Sequence, residues 1–188
     1  VKNALRAILG VLLFAACGFS QTGSQTPDYS TIKKQTQLFE TVLDTAMRQH
    51  FDDPEHFLML QAPRGAYLEG YGVVFTMEVN LYTMRYRSPF DASPYSQKEI
   101  STARAVKLAR TKDLEALLRD VLRNNGMGLD FVPADESVAV VVHLFNQAEH
   151  RDLPSQLAVQ TKKQWLQEAA GRKLSAAEFR QKLSVVSF

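Results

Sequence analysis

The chain has 188 residues, 22 basic and 20 acidic side chains, a formal net charge of +2 and one cysteine, Cys17. Lys2 and Arg6 are the only charged residues before position 21, so residues 21–188 carry twenty charges of each sign and no net charge. That balance gives no electrostatic reason to expect nucleic acid or an anionic membrane as a partner. The lone cysteine rules out an internal disulfide, and the later chain has neither thiolates for zinc nor a cysteine nucleophile.

The first residues, "VKNALRAILGVLLFAACGFSQ", run from a basic start through an apolar stretch (Ala7 to Ala16) to small and polar residues. This is the layout of a secretory signal peptide, and the apolar stretch is shorter than the roughly 20 residues of a spanning helix. The expectation is a signal over residues 1–20, cut before Gln21, with export to the periplasm or medium. "FAACG" also approaches a bacterial lipoprotein box, with Phe14 where an aliphatic residue is usual. Lipidation at Cys17 is therefore the alternative, and the only membrane association the sequence suggests. An initiating Val suits a bacterial start. Residues 21–30 are polar and read as a tether.

Residues 31–188 read as a single domain, long enough to bury a real core. Phe39, Val42, Leu43, Ala46 and Met47 recur at helical spacing, which predicts a helix over 31–50 that stops at "FDDPEH". The apolar "HFLMLQA" predicts a strand, and Pro63-Arg64-Gly65 a turn after it. From Tyr67 to Leu81 the odd positions, Val73, Phe75, Met77 and Val79 among them, form an apolar face. A second strand paired antiparallel with the first follows. Glycines in such a strand mark bulges, so Glu69 is expected at a bend near the edge, with no partner acid in view.

The loop "RYRSPFDASPYS" ends at Ser96 and Glu99, a capping box that opens a long helix. Leu114, Leu117, Leu118, Val121 and Leu122 give its apolar face. Thr111 suggests a break, and Asn124-Asn125-Gly126 a left-handed stop. "SVAVVVHLF" reads as a buried strand and "SQLAVQTK" as its hairpin partner. The tail reads as helical: one helix surrounds Trp165, and another opens at the Ser175–Glu178 capping box with Leu174 and Phe179 as a staple. The expected fold is α+β, an antiparallel sheet of about four strands in two hairpins, covered by amphipathic helices.

Four features invite a site reading. His50, Asp52, Asp53 and His56 offer the ligand types of a divalent metal, but their spacing matches no metal motif. A helix end running into a proline turn explains them as well. Glu69 and the tyrosines Tyr82 and Tyr86 are candidate binding residues. Arg104 and Lys107, with Arg110, form a basic stripe read as a solvated face or a docking surface for an acidic partner. His143, inside an apolar strand, reads as a core histidine with one hydrogen bond. The sequence contains no nucleophile elbow, phosphate-binding loop, dinucleotide fingerprint or H-E-x-x-H. It implies no cofactor and no catalytic residue.

The stretches "GAYLEGYGVVFTMEVNL", "PADESVAVVVHLF" and "GRKLSAAEFRQKL" resemble segments of uncharacterised exported bacterial proteins. The resemblance implies a shared fold over residues 35–188 and an envelope location, and it brings no activity. The leading expectation is a non-enzymatic envelope module that binds a protein or a small ligand. The alternative is a metal-dependent or carboxylate-based hydrolase using the His50–His56 cluster.

Overall fold

The computed structural model describes residues 28–85 and 93–188. The expected signal, Cys17, most of the tether and Tyr86 lie outside them. The fold is α+β, with four α-helices and one five-stranded mixed sheet among the described residues.

Helix α1 (Tyr29–His50) starts two residues inside the expected tether, because the Asp28 carboxylate accepts from Ser30 N–H and caps it. Phe39, Leu43 and Met47 of its apolar stripe are buried. Strand β1 (Leu58–Leu68) pairs antiparallel with β2 (Gly72–Asn80). The hairpin turn, expected at Pro63-Arg64-Gly65, falls instead at residues 69–71, where Tyr71 N–H donates to Leu68 O at 3.0 Å and Gly70 takes φ +79°. Such a turn needs positive φ at its third position, which glycine supplies.

Pro63 stays inside β1 because β1 is an edge strand, where a missing N–H loses no ladder bond. The register is also irregular between Gln61 and Arg64. Gly65 lies where a Cβ would strike Thr36 of α1 and the Phe75 ring. Its N–H donates to Glu40 Oε1 at 2.8 Å, tying the edge to α1. Glycine here reports close helix-on-strand packing, not a turn.

Helix α2 (Gln97–Asn125) opens with the complete Ser96–Glu99 capping box and runs unbroken through Thr111, whose hydroxyl donates to Lys107 O at 2.8 Å. At 29 residues it is about 44 Å long at ~1.5 Å per residue. It returns the chain to the end of the sheet where β2 began. Strand β3 (Ser137–Leu144) therefore pairs parallel to β2, not antiparallel as expected. β3 then makes the expected hairpin with β4 (Gln156–Lys162). After α3 (Lys163–Ala170) and the capping-boxed α4 (Ala176–Gln181), a fifth strand, β5 (Ser184–Ser187), pairs with β4. The tail expected as wholly helical thus ends in an edge strand, too short to show a sequence period.

Val73, Phe75, Met77 and Val79 of β2, Val138, Val140 and Val142 of β3, and Leu157 and Val159 of β4 have no exposed surface. They share one face with Leu43, Met47, Leu114, Leu118, Leu122 and Phe179 from the helices. Each such side chain is worth roughly 1.5–3 kcal/mol on burial. Gly126 is helical, at φ −66°, and not left-handed. A Cβ there would come within 2.8 Å of Leu166, so it is a packing glycine.

Candidate ligand-binding cleft

The parallel pair β2–β3 has its carboxyl ends on one side of the sheet. In open sheets with helical crossovers, that is where ligands sit. Beyond Asn80 the chain runs into Tyr82–Arg85, and the first turns of α2 stand beside it. Together with Glu55 and His56 from the α1–β1 loop, these residues bound a cleft of about 510 Å³. Among the described residues its lining is Glu55, His56, Tyr82, Thr83, Met84, Arg85, Lys98, Glu99 and Thr102. The volume lies within the usual range for small-molecule sites, roughly 300–1,000 Å³.

The α1–β1 loop is shaped by its own backbone: Asp53 O accepts from the N–H groups of His56 (3.1 Å) and Phe57 (2.8 Å). Thr83 N–H donates to His56 O at 2.7 Å, stitching the loop to the end of β2. This places His56 Nδ1 3.1 Å from Asp53 Oδ1, while Asp53 Oδ2 accepts from Arg110 Nη2 at 2.6 Å. Arg110 also donates to Leu81 O at 2.7 Å. The His56 ring stacks on Tyr82 at 4.8 Å, and the Arg110 guanidinium lies 6.0 Å from the Tyr82 ring centre.

Hydrogen bonds from Arg110 and then His56 hold the Asp53 carboxyl below its usual range. An ionised Asp53 makes His56 Nδ1 the donor, so that in the neutral ring Nε2 is left as an acceptor. Glu99 is pulled down to about 2 by its bonds to Ser96 backbone and hydroxyl, then by Arg85. It is committed to the helix cap and to Arg85 Nε at 2.8 Å. Among the described residues, the polar groups at the cleft that are not held in these bonds include those of His56, Tyr82, the exposed Lys98, the exposed Glu55 and Thr102.

Of the four metal candidates, the structure joins only Asp53 and His56. His50 packs edge-on against Phe51 at 4.8 Å, and Asp52 is exposed beside a second cleft of about 360 Å³. Among the described residues no three His, Cys, Asp or Glu side chains form a group able to hold a metal ion. A short loop spends one carboxylate on Arg110 and turns the other groups apart.

Of the binding candidates, Tyr82 lines the cleft, whereas Glu69 is an exposed turn residue at the opposite end of β2. The basic stripe is not a solvated face. Lys107 is only 3% exposed, its ammonium donating to Phe145 O at 2.9 Å and reaching Asn146 Oδ1 at 3.4 Å. Burial lowers its pKa to about 8. Arg110 is bound to Asp53, and Arg104 pairs with Asp152. His143 is exposed on the sheet face away from the helices and is not a core histidine. Sequence reasoning missed Arg110 as the partner of Asp53, 57 positions away. The only available signal was one more base in a helical stripe.

Compared with known proteins, the chain matches no family model, no curated protein and no solved structure.

Proposed function

We propose that this protein is an exported bacterial envelope module that binds a small polar ligand in the cleft at the carboxyl ends of β2 and β3. The observation that carries the reading is the cleft itself: about 510 Å³, with His56 oriented by Asp53 and stacked on Tyr82 at its wall. A pre-oriented imidazole costs little to order on binding, which is how a site gains affinity from few contacts. Lys98 suits an anionic group on the ligand, and His56 Nε2 a hydroxyl or amine donor. The export half of the reading rests on the signal-like pattern of residues 1–20 and on the resemblance to exported proteins.

Thermal-shift screening against organic acids, amino acids and sugars, followed by titration calorimetry, tests it. A hit should lose at least tenfold in affinity in both His56→Ala and Lys98→Ala. Hits indifferent to both substitutions would sink the cleft. N-terminal sequencing of native protein that finds Val1 still in place would sink export.

A second reading is favoured by one feature, the Asp53–His56 pair. A carboxylate-oriented imidazole can take a proton from water, which makes the protein a hydrolase with His56 as general base and Asp53 as its positioning residue. Turnover of a model ester that disappears in His56→Gln supports it, and no turnover of esters or phosphoesters by the wild type removes it.

A further inference from the structure

The His56 ring is restrained twice within the cleft and once from outside it. Tyr82 fixes its plane, stacked 4.8 Å away at 13°. Asp53 Oδ1, 3.1 Å from Nδ1, fixes its edge. Asp53 is held in turn by Arg110, a mostly buried residue of α2 that is not among the cleft-lining residues. The guanidinium spends two donors of its planar fork: Nη1 on Leu81 O at 2.7 Å and Nη2 on Asp53 Oδ2 at 2.6 Å. One carboxylate oxygen is thereby tied to the backbone just beyond β2, and the other is left facing His56.

The neutral ring has two places for its proton. On Nδ1, the proton is donated to Asp53, and Nε2, which has no hydrogen-bond partner among the described residues, is an acceptor. On Nε2, the proton would leave the Nδ1 lone pair facing those of a carboxylate at 3.1 Å. An aspartate is ionised at neutral pH with or without an arginine beside it. What Arg110 adds is therefore direction: an Asp53 carboxylate free to turn to water would impose no choice on the ring.

We infer that Arg110 is a positioning residue of the cleft: through Asp53 it keeps the His56 proton on Nδ1, so that the site selects ligand groups that donate a hydrogen bond, hydroxyls and amines, over groups that only accept. The selectivity rests on the reading of the cleft as a binding site; the proton position does not. A group that only accepts leaves Nε2 unpaired, and sites built around a hydrogen bond discriminate strongly on that ground.

Two-bond ¹H–¹⁵N correlation NMR of the full ligand-free chain, at a pH where titration shows the ring to be neutral, reads the tautomer. His56→Gln identifies the signals by their loss. Nδ1–H is the expected major form. In Arg110→Met the ratio of Nδ1–H to Nε2–H should fall at least ~5-fold, the scale of one charge-assisted hydrogen bond at a partly exposed site. Arg104→Met removes the same charge from the same helix, where its partner is Asp152, and should leave the ratio unchanged. Circular dichroism shows whether each variant is folded. If Arg110→Met does not fold, Arg110→Gln, whose amide keeps one donor, carries the test with the same outcomes. If neither folds, Arg110 is a structural tie and the inference falls. Nε2–H as the major wild-type form overturns it, as does an unchanged ratio in the folded Arg110 variant or an equal fall in Arg104→Met. Selectivity is measured on any cleft hit that carries a hydroxyl. Its methyl ether should bind the wild type at least ~10-fold more weakly, with a smaller penalty in Arg110→Met. Equal binding of hydroxyl and ether overturns the selectivity. A screen without hits sinks the cleft and leaves the tautomer result intact, so the two failures are told apart.

Discussion

Where β2 and β3 begin, the structure is made of backbone. Gly72 has φ +122°, Gly70 φ +79°, Ser137 N–H donates to Tyr71 O at 2.7 Å, and Gly70 N–H to Glu136 Oε1 at 3.1 Å. Where the same strands finish, the structure is made of charged side chains: Asp53, His56, Arg110, Lys107 and Glu99 within a few turns of one another. The first end is closed and tolerates no added atom at Gly72. The second is open and holds its groups in orientations they would not keep in water. Substitutions of the glycines at the first end should therefore act on stability alone, and those of the charged groups at the second on stability through pH and on binding.

The largest expected effect separates two glycines of the closed end. A Cβ on Gly72 would sit far inside contact with the Ser137 carbonyl, and its φ disfavours any β-branched residue. Gly72→Val should cost ~4 kcal/mol or more and leave little folded protein in a thermal melt. Gly70 also has positive φ but open space around it, so Gly70→Ala should cost only ~1 kcal/mol. Equal melting temperatures for the two variants would show that steric closure at Ser137 is not what distinguishes this end.

The next effect sits at the open end. The folded pKa of Lys107, about 8, lies below its ordinary 10.5. Between those values the unfolded chain binds the extra proton, so stability rises with pH through that window and is lowest below pH 8. Lys163, buried at the closed end, has a pKa lowered by burial and adds in the same sense, so only the part lost in a Lys107 variant belongs to the open end. Tyr67, raised first by burial and then by Glu136, opposes them above pH 10, so the clean window is pH 8–10. Urea unfolding should show a gain of ~1–3 kcal/mol across it in the wild type and a smaller gain in Lys107→Met. A flat wild-type profile would break the assignment of Lys107 as a desolvated cation.

Two carboxylates give the smallest and most discriminating effects. The folded pKa of Glu99, about 2, lies below its ordinary 4.5, so its contribution is present above pH 4.5 and is lost as pH falls toward 2. Glu99→Gln should melt slightly below wild type at pH 7 and level with it near pH 2. Glu69→Gln, at the exposed turn of the closed end, should melt like wild type at pH 7. A lower melting temperature in Glu69→Gln at pH 7, or no pH-dependent loss in Glu99→Gln, would reverse the contrast between the two ends.

The sequence by itself determined the features that depend on neighbours in the chain. Both capping boxes, the apolar stripe of α1, the odd-numbered core face of β2 and the β3–β4 hairpin were legible, because caps, helical spacing and strand alternation act over a few residues. Glu69 was legible as an exposed residue at a bend, since glycines on its carboxyl side have few other uses. Only the tertiary structure decided the rest. Pro63 belongs to a strand because that strand is at an edge. β3 is parallel to β2 because a long helix carries the chain back. Gly65 and Gly126 are glycines because Phe75 and Leu166 arrive from elsewhere. The basic stripe divided in the same way. Arg104 and Arg110 found carboxylates 48 and 57 positions away, while Lys107 was drawn under the Phe145 carbonyl. Whether a charge is solvated, paired or buried depends on what stands opposite it, and no local pattern encodes that.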